Sequence, residues 1–191
     1  VSDDGAGGRA ADDPFRQDGI GVDDGLMRLW APHRMDYVAG GAKVEPGAPS
    51  CPFCRIPGLS DTDGLVVARG EHVYGVLNLY PYNPGHLMVV PYRHIPDYTD
   101  LTTAESAEFT AFTQRALAVL RSVSAPHGFN LGINAGAAGG AGIAEHLHQH
   151  VIPRWGGDAN FMPVIGHTKV LPQLLADTRG LIAGAWAPLG D

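Results

Sequence analysis

The chain has 191 residues, 45% of them apolar, and a formal net charge of −7. That length supports one domain with a full core and not two. The acidic balance excludes a nucleic acid polymer or an anionic membrane surface as partner, since either demands a basic footprint. No apolar run approaches a membrane span, the first residues are acidic rather than apolar, and two cysteines do not make a disulfide framework. A soluble cytoplasmic protein is expected. Lysine occurs only at Lys43 and Lys169, so an anionic ligand must be held by arginine, histidine, backbone amides or a metal.

Residues 1–25 are rich in Asp and Gly and hold too little apolar surface to offset the entropy of ordering, which predicts a mobile acidic arm. In residues 26–50, Leu26, Leu29 and Trp30 have helical spacing until Pro32 interrupts it. A short helix or turn there would lay Trp30 and Tyr37 on the main body, ahead of a Gly/Pro linker from Ala39 to Ser50. Cys51-Pro-Phe-Cys54 admits three readings: half of a zinc site, a thiol redox pair, or two inert structural cysteines. The redox reading wants a strand before the first cysteine, where this chain has a linker. The zinc reading needs two further ligands, and only histidines are on offer.

Leu65–Arg69 and Val73–Leu79 read as short strands joined by a tight Gly70-Glu71 hairpin, with Asn78 near the end of the second. Tyr80-Pro-Tyr-Asn-Pro-Gly85 is a loop by its prolines and glycine. His86–Tyr92 is a third strand, and His94 follows it. Thr102–Val123 is the best helix: Thr102 or Thr103 caps it, Glu105 and Glu108 sit near its start, and Arg115 and Arg121 near its end. Phe109, Phe112, Leu117 and Leu120 give it an apolar stripe for the sheet. Gly128–Ala135 is a fourth strand. The glycine/alanine run Gly136–Gly142 lacks the Lys-Ser/Thr of a Walker A loop, but its amides can approach an anion closely. Its place just before three histidines, in a chain short of lysine, favours a phosphate cradle over a slack connector.

Glu145–Trp155 reads EHLHQHVIPRW, with His146, His148 and His150 at every second position of a β-forming run. On a strand, that period puts three imidazoles on one face with rings roughly 6.5–7 Å apart. Three such rings have no plain structural use, because each carries ring nitrogens that need partners if buried. Gly156–Gly166 then reads as a loop and Val170–Trp186 as a C-terminal helix.

HLHQHVI resembles the signature of the histidine-triad (HIT) family, with Gln149 in place of the usual apolar residue. Asn78, eight residues before the His86 strand, matches the family's ribose-contacting Asn or Asp. The likeness covers about Cys51–Trp155. The stretches LNLYPYNPGHLMVVPYRH and VIPRWGGDANF are similar to the actinobacterial diadenosine tetraphosphate phosphorylases within the family. The resemblance implies an α+β, HIT-like fold: an antiparallel sheet of about five strands with a long helix packed on it. The catalytic domain would be 51–166, with 167–191 a C-terminal helix and tail, assembled as a homodimer or larger homo-oligomer.

The resemblance also implies roles. His148 would be the nucleophile that forms a covalent nucleotidyl-histidine, His150 would contact phosphate oxygens and help the leaving group, and His86 would support the site. Asn78 would hold the ribose; Asn134 and the backbone of Gly140, Ala141 and Gly142 would hold the polyphosphate. Cys51, Cys54, His94 and His146 match the ligands of the zinc-containing branch and would bind structural zinc. No catalytic metal is required. One departure stands out: where many members carry Gly-Gln-Ser or Gly-Gln-Thr before the triad, this chain has Ala141-Gly142-Ile143, with no side-chain donor.

The expected activity is cleavage of a dinucleoside polyphosphate, such as diadenosine tetraphosphate, with phosphate or water as acceptor. Rival readings are a nucleoside phosphoramidate or adenylate hydrolase and a nucleotide-binding module without turnover, the latter favoured by the missing donors. A triple-histidine metal hydrolase would need an acidic ligand or base, and Glu145 points to the other strand face.

Overall fold

The structure, a computed structural model, describes residues 50–158 and 172–186. The expected arm, the Leu26–Val38 helix or turn, the linker before Ser50, the second part of the Gly156–Gly166 loop and the expected helix start at Val170 lie outside the described residues. In chain order come a short helix α1 (Pro52–Arg55), β1 (Val66–Arg69), β2 (Val73–Leu77), β3 (Leu87–Pro91), a long helix α2 (Thr103–Ser124), β4 (Gly128–Ile133), β5 (Gln149–Arg154) and α3 (Leu175–Trp186). The strands form one five-stranded antiparallel sheet in the order β1-β2-β3-β5-β4. This is the expected α+β architecture. Because β5 slots between β3 and β4, the strand that ends the triad lies beside the strand that follows His86.

β2 (VYGVL) and β3 (LMVVP) are buried at every position. Near-continuous apolar runs of this kind are what a strand covered on both faces requires. On one face Val67, Leu87, Val89 and Val151 pack against Phe109, Phe112, Ala116 and Leu120 of α2, and Ile182 of α3 joins them. On the other face Val66, Tyr74, Val76, Met88 and Val90 pack against Cys51 and Phe53 at α1. The Tyr74 hydroxyl donates to the Phe53 carbonyl at 2.8 Å, which ties α1 to the sheet.

Thr102 caps α2 through a capping box with Glu105, whose carboxylate also pairs with Arg93 at 2.8 Å. The apolar stripe runs through Phe109, Phe112, Ala116, Val119 and Leu120, and Leu117 is only partly buried beside it. The β1–β2 hairpin is tight, but its tip is Glu71-His72 rather than Gly70-Glu71: Arg69 pairs with Tyr74, and the Gly70 amide donates to the Val73 carbonyl at 2.8 Å. The reason is a partner distant in sequence: Glu108 of α2 accepts from the amides of Glu71 (2.7 Å) and His72 (2.6 Å). Strand β1 starts at Val66 rather than Leu65, because Leu65 has φ 54, outside the strand region. β2 stops at Leu77 rather than Leu79, β3 at Pro91 rather than Tyr92, and β4 at Ile133 rather than Ala135. Helix α3 begins at Leu175, since residues 172–174 are not helical. Among the described residues no helix is long and apolar enough to cross a membrane.

Gly75 marks a close approach of α2 to the sheet. A Cβ there would lie 2.9 Å from the Phe112 ring and 3.1 Å from Val67. Gly75→Ala therefore overpacks the interface, and a loss of about 1–3 kcal/mol is expected by chemical denaturation; an unchanged midpoint would show that the helix yields freely.

Candidate active site and metal centre

Only Gln149–Arg154 of the triad segment is a hydrogen-bonded strand; His146 and His148 precede it in a non-strand run. That run is held from outside, by the Leu147 amide donating to the Ile95 carbonyl at 2.6 Å. All three triad histidines are buried, and the centroids of His148 and His150 are 5.1 Å apart, closer than strand spacing would set them. The His148 and His150 rings thus converge instead of standing at strand spacing.

The roles of several ring nitrogens are readable from their partners. A backbone carbonyl only accepts, so a ring nitrogen facing one carries the proton. His148 Nδ1–H donates to the carbonyl of His146 at 2.8 Å, which leaves the lone pair on Nε2. Burial holds His148 below the ordinary histidine pKa, against a smaller opposing pull from that carbonyl, so the ring is neutral at pH 7. His146 Nε2–H donates to the carbonyl of Pro91 at 2.9 Å, which turns the Nδ1 lone pair towards Cys51, Cys54 and His94. Burial, foremost, lowers the pKa of His146 too. The Phe53 ring touches both, its centroid 4.9 Å from His148 and 5.5 Å from His146. On the far side, His86 Nε2 lies 2.9 Å from His150 Nδ1. The Tyr82 amide donates to His86 Nδ1 at 3.0 Å, and the Tyr82 ring packs against both histidines.

Cys51, Cys54, His94 and His146 form one cluster with all four ligand atoms within 4.8 Å of one another. The His94 and His146 Nδ1 atoms are 3.2 Å apart, and the sulfur–nitrogen contacts span 3.2–3.5 Å. A tetrahedral ion with ligand bonds of about 2.0–2.3 Å has edges of roughly 3.3–3.8 Å, so the donors fit a metal in both kind and spacing. Burial, and then the neighbouring Cys51, push the Cys54 thiol up to about 11, so a thiolate there needs a cation to meet it.

The remaining expected residues lie around this core. Asn78 is beside His86, its Oδ1 accepting from the Tyr80 amide at 2.9 Å. Asn134 lines a cleft of about 150 Å³ with His150, Tyr82 and Asn130. The Gly136–Gly142 run is a turn folded on itself rather than slack chain: the Gly140 and Ala141 amides donate to Ala137 and Gly136. Those two amides are thus engaged within the loop, and Gly142 follows them.

Three features escaped the sequence reading. Tyr82 lay in a stretch legible only as loop, and Phe53 only as filler in C-x-x-C. The third is a brace: Asp158 accepts from Asn83 and Arg154 at 2.6 Å each and from the Trp155 amide at 3.1 Å. Asn83 also donates to the Pro153 carbonyl, at 2.9 Å. The loop carrying Tyr82 and His86 is thereby fixed to the end of β5. The only sequence hint was the closeness of Arg154 and Asp158, four residues apart.

A buried imidazole whose second nitrogen is left as a lone pair, a neighbouring imidazole pair, and a Cys₂His₂ cluster sharing His146 define a histidine-triad site. The HIT domain family model matches residues 60–157, and the chain belongs to the HIT family. It is 57% identical to the AP-4-A phosphorylase of Mycobacterium tuberculosis over 192 aligned residues, 98% of each chain. Among solved structures it is similar to a zinc-bound histidine triad family protein from Mycobacterium smegmatis, with 28% identity and a TM-score of 0.58, covering 73% of this chain and 95% of that one. A hypothetical histidine triad nucleotide-binding protein from Sulfolobus tokodaii strain 7 gives 25% identity and a TM-score of 0.60, covering 73% and 93%.

The Asp158 brace makes a pH-dependent prediction. Arg154, first, and the N–H donors of Trp155 and Asn83 hold the Asp158 carboxyl well below the usual carboxylate range. Its contribution to stability is complete above the unfolded value near ~4 and is lost as pH falls through the lower folded value. Asp158→Asn should lower the melting temperature by several degrees at pH 7 and flatten the stability profile below pH ~4. Parallel wild-type and variant profiles would show that the brace carries no charge-dependent stability.

Proposed function

We propose that this chain cleaves diadenosine tetraphosphate or a close dinucleoside polyphosphate, passing a nucleotidyl group through His148 to inorganic phosphate. The observation that carries this reading is the His148 tautomer: its Nδ1–H is held by the His146 carbonyl, so a neutral Nε2 lone pair stands as nucleophile. The AP-4-A phosphorylase similarity supports both the substrate class and phosphate, rather than water, as acceptor.

In the first step the Nε2 pair forms an N–P bond to the α-phosphorus while the bridging P–O bond breaks and its electrons leave on oxygen. The Nδ1 proton stays on the ring, now cationic, and the His146 carbonyl accepts from it more strongly. In the second step a phosphate oxygen attacks phosphorus, the N–P bond breaks, and His148 recovers its lone pair. His150 donates to phosphoryl oxygens as charge develops, an effect often worth ~3–4 kcal/mol per placed donor. Asn78 would hold the ribose; Asn134 and the Gly142 amide would hold the polyphosphate. The Cys51, Cys54, His94 and His146 set would hold zinc, which when bound supplies folding energy and stiffens the segment that presents His148. Nucleotide substrates and free cysteines fit a cytoplasmic site of action. A second copy would pair along the outer edge of β4, where Leu131 is half exposed.

One observation favours binding without turnover: Ala141-Gly142-Ile143 carries no side-chain donor, and two amides nearby are engaged in the turn. Rapid-quench trapping separates the readings, since only the enzyme yields nucleotidyl-His148.

His148→Ala should keep its melting temperature within a few degrees and lose turnover by about 10³-fold or more; full activity would remove the mechanism. With inorganic phosphate present the products should be ADP and ATP, whereas AMP and ATP at any phosphate concentration would make water the acceptor. Metal analysis of chelator-free protein should give about one zinc per chain, and chelation should lower the melting temperature; less than about a tenth of an equivalent would dismiss the site.

A further inference from the structure

Protons on the leaving-group side of His148 are confined by two features that are independent of each other. The first is the His86–His150 pair. His86 is 1% exposed, and its Nδ1 meets N–H groups from two directions, the Tyr82 amide at 3.0 Å and the Asn78 side-chain nitrogen at 3.5 Å. The Asn78 orientation is set by its own oxygen, which accepts from the Tyr80 amide at 2.9 Å and so turns the NH₂ group to His86. Nδ1 of His86 therefore holds a lone pair, and its proton sits on Nε2, directed at His150 Nδ1 2.9 Å away. His150 Nδ1 is then an acceptor as well, and its single proton sits on Nε2.

This pair can lend a hydrogen bond but cannot surrender a proton. If His150 gave up its Nε2 proton it could draw one from His86, but His86 could recover none at Nδ1, where two donors already point. One ring would be left as an imidazolate, far too basic to form near neutrality. Adding a proton to the pair would set N–H against N–H, either at Tyr82 and Asn78 or between the two rings. The second feature is compositional: Ala141-Gly142-Ile143 offers no side-chain O–H or N–H to the departing group.

We propose that the site selects substrates by leaving-group basicity: it expels groups that are stable as anions, such as nucleoside polyphosphates, and rejects adenylates whose leaving group must be protonated, such as amines of phosphoramidates. The proposal rests on His148 as nucleophile. In the balanced step the N–P bond forms, the P–O bond breaks, the electron pair remains on the departing oxygen, and every imidazole keeps its proton. An amine must gain a proton as its P–N bond breaks, and none of these groups supplies one. Negative charge on a polyphosphate is already spread over several oxygens and needs only the His150 hydrogen bond.

The test is a leaving-group series with the full-length, metal-replete protein: diadenosine tetraphosphate, substituted phenyl esters of AMP, and an AMP phosphoramidate. Across the esters kcat/KM should fall about tenfold per unit of leaving-group pKa, and the phosphoramidate should react about 10²–10⁴-fold more slowly than diadenosine tetraphosphate, the usual worth of a general acid. Tyr82→Phe should leave this slope unchanged, since the Tyr82 phenol lines the cleft and is the donor to exclude. Imidazole ¹⁵N spectra should show His150 protonated at Nε2 alone. A slope shallower than about twofold per unit, a phosphoramidate turned over as fast as the tetraphosphate, or a slope that steepens in Tyr82→Phe overturns the proposal while nucleotidyl-His148 is still trapped. If no nucleotidyl-His148 forms with any substrate, the underlying reading of the site falls as well.

Discussion

The site is organised around one hydrogen bond, from His148 Nδ1–H to the carbonyl of His146. It selects the tautomer and leaves the lone pair on Nε2, and in the mechanism proposed above it would spread the charge that builds on the ring. The acceptor of this bond is held from several sides. His146 is held by the Pro91 carbonyl at one ring nitrogen, faces the cysteine–histidine cluster at the other, and has its following amide bonded across to Ile95. Phe53, between the two cysteines, packs on both rings. The Cys₂His₂ cluster and His148 are therefore packed together through His146 and Phe53.

The sheet divides its labour between faces. The face under α2 is apolar and tightly filled, which explains a glycine at position 75 where Phe112 approaches. The opposite face is apolar under α1 and becomes histidine-lined where β3 meets β5. Of the site histidines only His150 stands on a strand, β5, whose other side is anchored in the core; His86 directly precedes β3 and His148 directly precedes β5, so both are placed by strand ends that the sheet holds. The loop between β2 and β3 lacks such backing, and Asn83 with Asp158 supplies it.

The departures from the family's usual pattern become coherent in this setting. A chain without polar side chains ahead of the triad, and with a histidine pair whose protons are locked, handles leaving groups by hydrogen bonding and charge dispersal rather than by proton transfer. Ap4A-type substrates ask for nothing more, because a polyphosphate departs as an anion.

The alternation of His146, His148 and His150, the Asn78–His86 spacing and the C-x-x-C determined the site's membership, and the apolar runs of β2 and β3 with the Thr102-capped helix determined the fold. Local periodicity and capping are properties of neighbours in sequence, so they could be read there. What the sequence could not determine was every relation made through space: the Glu108 carboxylate that accepts from the tip of the β1–β2 hairpin, the Ile95 carbonyl that holds the Leu147 amide, the Asp158 brace, and the Tyr82 amide that fixes the His86 tautomer. A ring's tautomer is decided by whichever group faces its second nitrogen, and only the tertiary structure brings that group into place.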